Sequence, residues 1–256
     1  AVPTYLAELS IEDMSCVKRV ITGGESCLPA LAAKWNSHCT FINEYGPTET
    51  TITSVEYVFD RSGNPYSFIP IGRPVANTQI HILDENKQPV PFGEVGEICI
   101  GGDGVTRGYL NRPDLTREKF IENPNTPGDR IYCTGDMGRW LPDGNIEYLG
   151  RIDDQVKIRG YRIELDEISA ILEKHPKVTA AVVVARVING DDKELVAYTT
   201  GTAETSELNT FLKSQLPLYM VPGYYVNMEA LPLTNNRKVD KKNLPQPTER
   251  YHEKRA

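Results

Sequence analysis

The sequence predicts a mixed α/β and α+β fold of several subdomains: the end of a doubly wound sheet, a small distorted β-barrel, and a C-terminal α+β domain. Three observations carry that prediction. Between Val17 and Gly46 the apolar run VKRVIT leads into Gly23-Gly24, a helical stretch around PALAAKW and a second run, TFINEYG, which together read as a β-α-β unit. From about Val58 to Leu149 short alternating runs (IHIL, EICIGG, RIYC, NIEYLG) are separated by Pro, Gly, Asn and Asp turns, the pattern of an all-β subdomain. After Arg151 the order becomes QVKIRGYRIE as strand, DEISAILEKH as helix, VTAAVVVARV and KELVAYTT as strands, SELNTFLKSQL as helix and YYVNMEA as strand, a β-α-β-β-α-β succession. The corresponding segments are 1–57, 58–150 and 151–245, with 246–256 as a linker because PTERYHEKRA is polar and proline-led.

In open α/β sheets ligands sit beyond the carboxyl ends of the strands, which places Gly23-Gly24 and Asn43 to Thr50 beside one crevice. The two C-terminal helices carry core stripes, with Ile168, Ile171 and Leu172 on one and Leu208, Phe211, Leu212 and Leu216 on the other. Asp166 and Ser206 are expected to cap them.

Composition narrows the function classes. A net charge of -7 over 256 residues argues against the broad basic surface that nucleic-acid backbones require. No apolar run reaches the roughly 20 residues of a membrane span, and AVPTYLAELS lacks the charged and apolar regions of a signal peptide. The five cysteines (16, 27, 39, 99, 133) show neither close pairing nor metal spacing, and their odd number leaves one unpaired in any disulfide scheme, so a reducing cytoplasm is the expected setting. The four histidines are scattered and suggest neither a zinc site nor a Ser/His/Asp arrangement. Because the chain opens at Ala1 without a methionine, it is read as a piece of something longer.

The chemistry concentrates in a few polar clusters. Asn43-Glu44-Tyr45-Gly46-Pro47-Thr48-Glu49-Thr50 runs a strand into a Gly-Pro turn at the carboxyl edge of a sheet. Glu49 suits a hard cation such as Mg²⁺ and Thr48 a phosphate oxygen, although the same segment also reads as a capped turn with solvated polar residues. In Tyr132-Cys133-Thr134-Gly135-Asp136 the carboxylate can accept from two ribose hydroxyls or simply form a turn. Gly150 to Gly160 and Asn236-Arg237-Lys238-Val239-Asp240 carry charge runs that, taken singly, are solvated faces.

Taken together and in order, NEYGPTET, GEVGEICIGGDGVTRGYLNRP, YCTGDMGRW, GRIDDQVKIRGYRIEL, LPLYMVP and NNRKVDKKNLPQP resemble the adenylation domains of nonribosomal peptide synthetases. Those domains are members of the adenylate-forming superfamily that also contains acyl-CoA synthetases and luciferases. The resemblance implies activation of an amino acid by ATP as an aminoacyl-adenylate, followed by transfer to the phosphopantetheine thiol of a peptidyl carrier domain. By the same resemblance Lys238 reaches the substrate carboxylate and the α-phosphoryl oxygens, Glu49 binds Mg²⁺, and Thr48 contacts phosphate. Asn43 and Tyr45 wall the adenine side, Asp136 holds the ribose hydroxyls, Tyr148 lies near the nucleoside, and Arg151 contacts ribose or phosphate. Asp153 falls at the hinge of a mobile C-terminal domain, whose rotation withdraws Lys238 and brings in the strand-loop from Lys157 to Gly160. Leu244-Pro245-Gln246-Pro247 resembles the motif that pins the carrier linker. Ile21, Gly23, Glu44, Ile52 and Thr53, with Lys238, match the side-chain pocket, and Glu44 there favours a polar or basic amino acid.

The departures are as specific. Nothing in the chain resembles the family's Ser/Thr/Gly-rich phosphate loop or the acidic residue that binds the substrate α-amino group, so an N-terminal half is expected as a partner and the chain alone is expected to be inactive. Arg237 stands where the family commonly has Gly. An unfinished sheet edge and apolar surface are expected over residues 1–57. The alternatives are an acyl- or aryl-CoA synthetase of the same superfamily and a noncatalytic carrier-binding fragment; the identity of the amino acid, the peptide product and the oligomeric state are not written in the sequence.

Overall fold

The computed structural model describes residues 1–60, 65–188, 193–234 and 238–251. The chain packs as two compact units, 1–153 and 154–256, each taken by itself below.

The first unit begins with helix α1 (Pro3–Glu8), then strand β1 (Arg19–Gly23), helix α2 (Pro29–Asn36) and strand β2 (Thr40–Tyr45). β1 and β2 are parallel, with Ile21 opposite Ile42 and Gly23 opposite Glu44, as the β-α-β reading expects. Burial explains the arrangement. Trp35 on α2 packs with Leu6, Val20, Ala32 and Phe41, and its indole N–H donates to Leu6 O at 3.3 Å. Strands β3 (Val55–Val58) and β4 (Arg73–Pro74) extend the sheet antiparallel in the order β1-β2-β3-β4. β1 is therefore an edge strand, and Ile21 on it is 41% exposed.

A second, antiparallel sheet is built from β5 (Thr78–Leu83), β6 (Gly96–Gly102), β7 (Phe120–Glu122), β8 (Arg130–Trp140) and β9 (Ile146–Arg151), with helix α3 (Pro113–Lys119) ahead of β7. The order is β5-β6-β8-β7, and β9 shares β8's outer edge with β7, pairing at the opposite end. The barrel-like expectation resolves into this five-stranded sheet, and among the described residues no pairing joins β5 to β7 or β9 to close it. Instead Ile71 N–H donates to Ile146 O at 2.9 Å and Ile146 N–H to Gly72 O at 2.8 Å, tying β9 to the segment that leads into β4.

The second unit departs from the sequence reading at its start. QVKIRGYRIE is a hairpin, β10 (Val156–Ile158) and β11 (Tyr161–Ile163), and not one strand. Arg159 and Gly160 both adopt left-handed backbone, with φ of 52° and 80°, which is the two-residue turn that antiparallel strands favour. Helix α4 (Leu165–Leu172), strands β12 (Val178–Val187) and β13 (Lys193–Gly201), helix α5 (Thr205–Gln215) and strand β14 (Tyr224–Met228) follow. β13 is central, antiparallel to β12 and parallel to β14. Ile168, Leu172, Leu208 and Leu212 pack on one face of that sheet with Val183, Leu195 and Ala197, as their spacing predicts.

The cap assignments fail. Each helix begins earlier than expected, so Asp166 and Ser206 lie within first turns; α5 is capped by Glu204, extended at φ -75° and ψ 147°, in a reciprocal capping box with Glu207. The tail also differs from a free linker as far as Tyr251. Leu244 is buried against Val182, Val184 and Val196, Tyr198 OH donates to Pro245 O at 2.6 Å, and Tyr251 N–H donates to Gly223 O at 2.9 Å.

Candidate functional site

In the first unit, β2 ends at Tyr45 and the chain turns through Gly46-Pro47 into a single 3-10 turn, Thr48–Thr50. Thr51 and Ile52 then adopt left-handed backbone at φ 62° and 71°, a conformation that costs energy for β-branched side chains and persists only where surroundings impose it. The surroundings do so here: Ser54 N–H returns to Tyr45 O at 2.9 Å, Thr51 Oγ1 donates to Gly104 O at 2.7 Å, and Thr106 N–H donates to Glu49 O at 2.9 Å. The turn is thereby fixed to the Gly104–Thr106 loop. Glu49, half-buried, accepts from Tyr109 OH at 2.7 Å, whereas Thr48 is exposed. Burial, the Tyr132 hydroxyl and the Glu49 carboxylate all push the Tyr109 phenol above its ordinary range, so it remains a donor to Glu49.

At the carboxyl ends of β1 and β2, Gly23 faces Glu44. A side chain on Gly23 would meet Glu44 O at 2.6 Å, which is why the closest approach of these strands carries glycine. Thr53 Oγ1 donates to Glu44 Oε2 at 2.9 Å, so two of the expected pocket residues are joined, while Ile52 is 73% exposed. Asn43 is buried on the opposite face and its amide donates to Pro70 O at 3.0 Å, tying β2 to the segment that precedes Gly72.

Asp136 sits in a bulge. Between Glu97↔Met137 and Cys99↔Cys133, β6 advances two residues while β8 advances four, so Thr134-Gly135-Asp136 stand opposite Ile98. Gly135 supplies the left-handed backbone that this requires, at φ 75°, and its N–H donates to Glu97 Oε1 at 2.8 Å. Thr134 Oγ1 donates to Ile98 O at 2.7 Å and accepts from Asp136 N–H at 2.9 Å. The Asp136 carboxylate, 4% exposed, is caged by three side chains. Tyr45 OH donates to Oδ2 at 2.6 Å, Arg151 Nη1 donates to Oδ1 at 2.9 Å, and Tyr148 OH lies 3.5 Å from Oδ1. Arg151 also grips Asp153 bidentately at 2.6 and 2.7 Å and donates to Thr134 O at 3.1 Å. Burial works against the Arg151 cation, but its fork to Asp153 and Asp136 outweighs burial and holds the guanidinium above its ordinary value. Burial and then the Asp136 charge push the Tyr45 phenol well up, and Tyr148 likewise.

The expected residues Tyr45, Tyr148 and Arg151 are thus brought together around the Asp136 carboxylate, with Asp153 held behind them by Arg151, whereas Asn43 is engaged with Pro70. Glu44 at the end of β2 meets Thr53, and Glu49 in the 3-10 turn meets Tyr109. In the second unit Lys157 lies on β10 opposite Arg162. Lys238 is exposed beside the antiparallel Leu233–Val239 bridge, and its carbonyl accepts from Thr234 N–H at 2.7 Å. Asn236 and Arg237 lie outside the described residues. Three supporting residues escaped the sequence reading: Tyr109 beneath Glu49, and Thr134 with Glu97 beneath Asp136. Tyr109 and Glu97 stand in the quoted stretch GEVGEICIGGDGVTRGYLNRP, but only the folded structure reveals what they support, Glu97 through strand register and Tyr109 through loop packing.

Residues 2–110 match the model of the AMP-binding enzyme family, and residues 167–238 match that of the AMP-binding enzyme C-terminal domain. The chain is 48% identical over 247 residues to bacitracin synthase 3 of Bacillus licheniformis, covering 96% of this chain and 4% of that protein. It is 46% identical over 247 residues to gramicidin S synthase 1 of Brevibacillus brevis, covering 96% of this chain and 22% of that protein. Among solved structures, holo-PA1221, an NRPS protein containing adenylation and PCP domains bound to a vinylsulfonamide inhibitor, superposes with a TM-score of 0.82 at 30% identity. That likeness covers 94% of this chain and 43% of the solved one, so the chain spans less than half of each of these three proteins.

Proposed function

This chain belongs to the AMP-binding enzyme family, and from that premise we propose that it is the carboxyl-terminal part of an amino-acid-activating adenylation domain of a nonribosomal peptide synthetase. The whole enzyme is an ATP-dependent ligase. The amino acid carboxylate attacks the α-phosphorus of ATP, pyrophosphate leaves, and the aminoacyl group then passes from the adenylate to a carrier-domain phosphopantetheine thiol. The peptide-synthetase relatives and the adenylation–PCP architecture of the solved neighbour support this over a CoA synthetase.

One observation carries the reading: the caged Asp136 carboxylate. A carboxylate has about four acceptor positions. Tyr45 and Arg151 take one each, and the Tyr148 hydroxyl at 3.5 Å is long enough to yield to a ribose diol. Arg151 and the two phenols keep Asp136 fixed, so binding requires little reordering. Asn43 and Tyr45 shape the adenine side, Asn43 through its hold on Pro70.

Glu49 fits Mg²⁺, because this ion keeps much of its water and binds proteins through one or two carboxylates, and Glu49 is a half-exposed carboxylate oriented by Tyr109. When bound, the ion neutralises phosphate charge. Thr48, exposed beside Glu49, donates to a phosphate oxygen. Lys238 supplies the cation for the charge that grows on the α-phosphoryl oxygens. Asp153 serves as the hinge, and Lys157 lines the thiol's approach in the second step. Glu44, held by Thr53, selects a polar or basic amino acid together with Ile21, Gly23 and Ile52. A cytoplasmic setting agrees with five cysteines, none of them in a disulfide.

The test is amino-acid-dependent ATP–pyrophosphate exchange. The chain joined to the N-terminal half of an adenylation domain is expected to catalyse it and the chain alone is not; a joined enzyme that makes acyl-CoA from free CoA and no carrier-bound product overturns the assignment.

A further inference from the structure

The β6–β8 pairing that carries the Asp136 bulge also sets two thiols side by side. Cys99 and Cys133 are direct register partners, so their side chains leave the sheet on one face. Their sulfurs lie 3.3 Å apart, Cys99 Sγ donating to Cys133 Sγ, and both residues are buried, at 0% and 2% exposure. Opposed residues of an antiparallel pair have Cα atoms about 4.5–5.5 Å apart. A disulfide spans about 4.4–6.8 Å between Cα atoms. The strands are already at bonding separation, and the sulfurs need only close by roughly 1.3 Å through side-chain rotation.

Glu97 stands on the same face two residues before Cys99, and the three donors lie close enough together to suggest a metal site. Its carboxylate is already engaged, however: Lys87 forms an ion pair with Oε2 and Gly135 N–H donates to Oε1 at 2.8 Å. A cation would have to displace an ammonium group and release the bulge, so the sulfurs are left to each other.

We propose that Cys99 and Cys133 form a dithiol modification site, which an oxidant of the peroxide class converts to an intrachain disulfide beside the Asp136 bulge. Cys133 is the attacking sulfur, because it accepts the Cys99 thiol hydrogen and that bond draws its proton affinity down, against the effect of burial. Its thiolate attacks hydrogen peroxide, the O–O bond breaks, and the sulfenic acid forms as hydroxide leaves and takes the proton that the Cys133 thiol gave up, making one water. The Cys99 sulfur then attacks the Cys133 sulfur, the S–S bond forms, and hydroxide departs with the Cys99 proton as a second water. Two thiols lose two electrons and two protons, and one peroxide becomes two waters. Hydrogen peroxide is close to water in size, which suits a buried pair. The product clamps β6 to β8 immediately before Thr134-Gly135-Asp136.

The experiment treats the chain with hydrogen peroxide, removes the peroxide with catalase, unfolds it in iodoacetamide and maps the peptides by mass spectrometry. The expected result is a Cys99–Cys133 linked peptide lighter by about 2 Da than the two thiol peptides, with both thiols restored by dithiothreitol. Cys16→Ser with Cys27→Ser is expected to keep the link, and Cys133→Ser to abolish it while Cys99 stays alkylatable. Full alkylation of both thiols after oxidation overturns the proposal, as does sulfinic acid at either sulfur in place of the link. Blocking of the pair that a chelator reverses, with no mass loss, also overturns it and assigns a metal instead.

Discussion

The phenol of Tyr45 and the carboxylate of Asp136, 91 positions apart in sequence, meet at 2.6 Å in a buried hydrogen bond. This bond joins the end of a parallel strand to a bulge in an antiparallel sheet, beside the backbone pairing of Ile71 and Gly72 with Ile146. Arg151 makes the arrangement electrostatically sound, because it brings a cation to a carboxylate that would otherwise be buried at prohibitive cost.

Tyr45→Phe removes the donor and keeps the ring. A hydrogen bond to a charged group contributes about 1.5–3 kcal/mol, so the urea midpoint of the first unit is expected to fall accordingly. Tyr148→Phe removes only a 3.5 Å contact and should cost much less. Equal losses in the two variants would show that the short bond is not what holds the bulge.

Gly135→Ala separates backbone strain from crowding. The residue sits at φ 75°, and an added Cβ would lie 2.7 Å from Arg151 Nη2. Strain at a left-handed position costs about 1–3 kcal/mol. Gly93→Ala is the control, since Gly93 is also left-handed at φ 87° but meets nothing within 4 Å. Gly135→Ala should lose more stability in urea and also weaken AMP binding by the joined enzyme, whereas Gly93→Ala should leave AMP binding unchanged.

The contrast between these two glycines shows what the sequence could and could not convey. The β-α-β unit was legible from apolar spacing, and Thr-Gly-Asp was legible as a local turn that presents a carboxylate. The cage was not, because Tyr45 and Arg151 reach Asp136 only through the register of β8 with β9 and the packing of β2, and register is a long-range property. The same holds for Cys99 and Cys133, 34 positions apart in sequence and adjacent in space. The Arg159-Gly160 hairpin was misread as continuous strand because Arg gives no hint of its left-handed backbone. The caps were misassigned because Glu204 is not among the usual capping types.

His81 gives a pH dependence whose sign is fixed by burial. Its Nδ1 lies 3.2 Å from Asn125 Nδ2, its Nε2 is buried without a hydrogen-bond partner, and burial holds the imidazole below its ordinary value of 6.5. Below that value the unfolded chain takes up a proton that the folded chain resists, so unfolding is favoured as pH falls and stability is recovered as pH rises through about 6.5. His81→Gln should flatten the dependence of the urea midpoint on pH below this point and leave it unchanged above. Parallel profiles for the two proteins would remove His81 as the cause.

Lys238 tests the proposed division of labour between the two chemical steps. Its side chain is exposed and its backbone carbonyl is held by Thr234 N–H, so truncation should not disturb the fold of the second unit. If its ammonium stabilises charge on the α-phosphoryl oxygens, Lys238→Ala in the joined enzyme lowers kcat for adenylate formation by about 10²–10³-fold with little change in KM for ATP. In transfer from a supplied aminoacyl-adenylate to the carrier thiol, AMP leaves with the new phosphate charge, but the proposed rotation has by then withdrawn Lys238, so this step should proceed near the unmodified rate. A residue that merely organised the domain would slow both steps together, so a matched loss in adenylation and transfer would assign Lys238 a structural role instead.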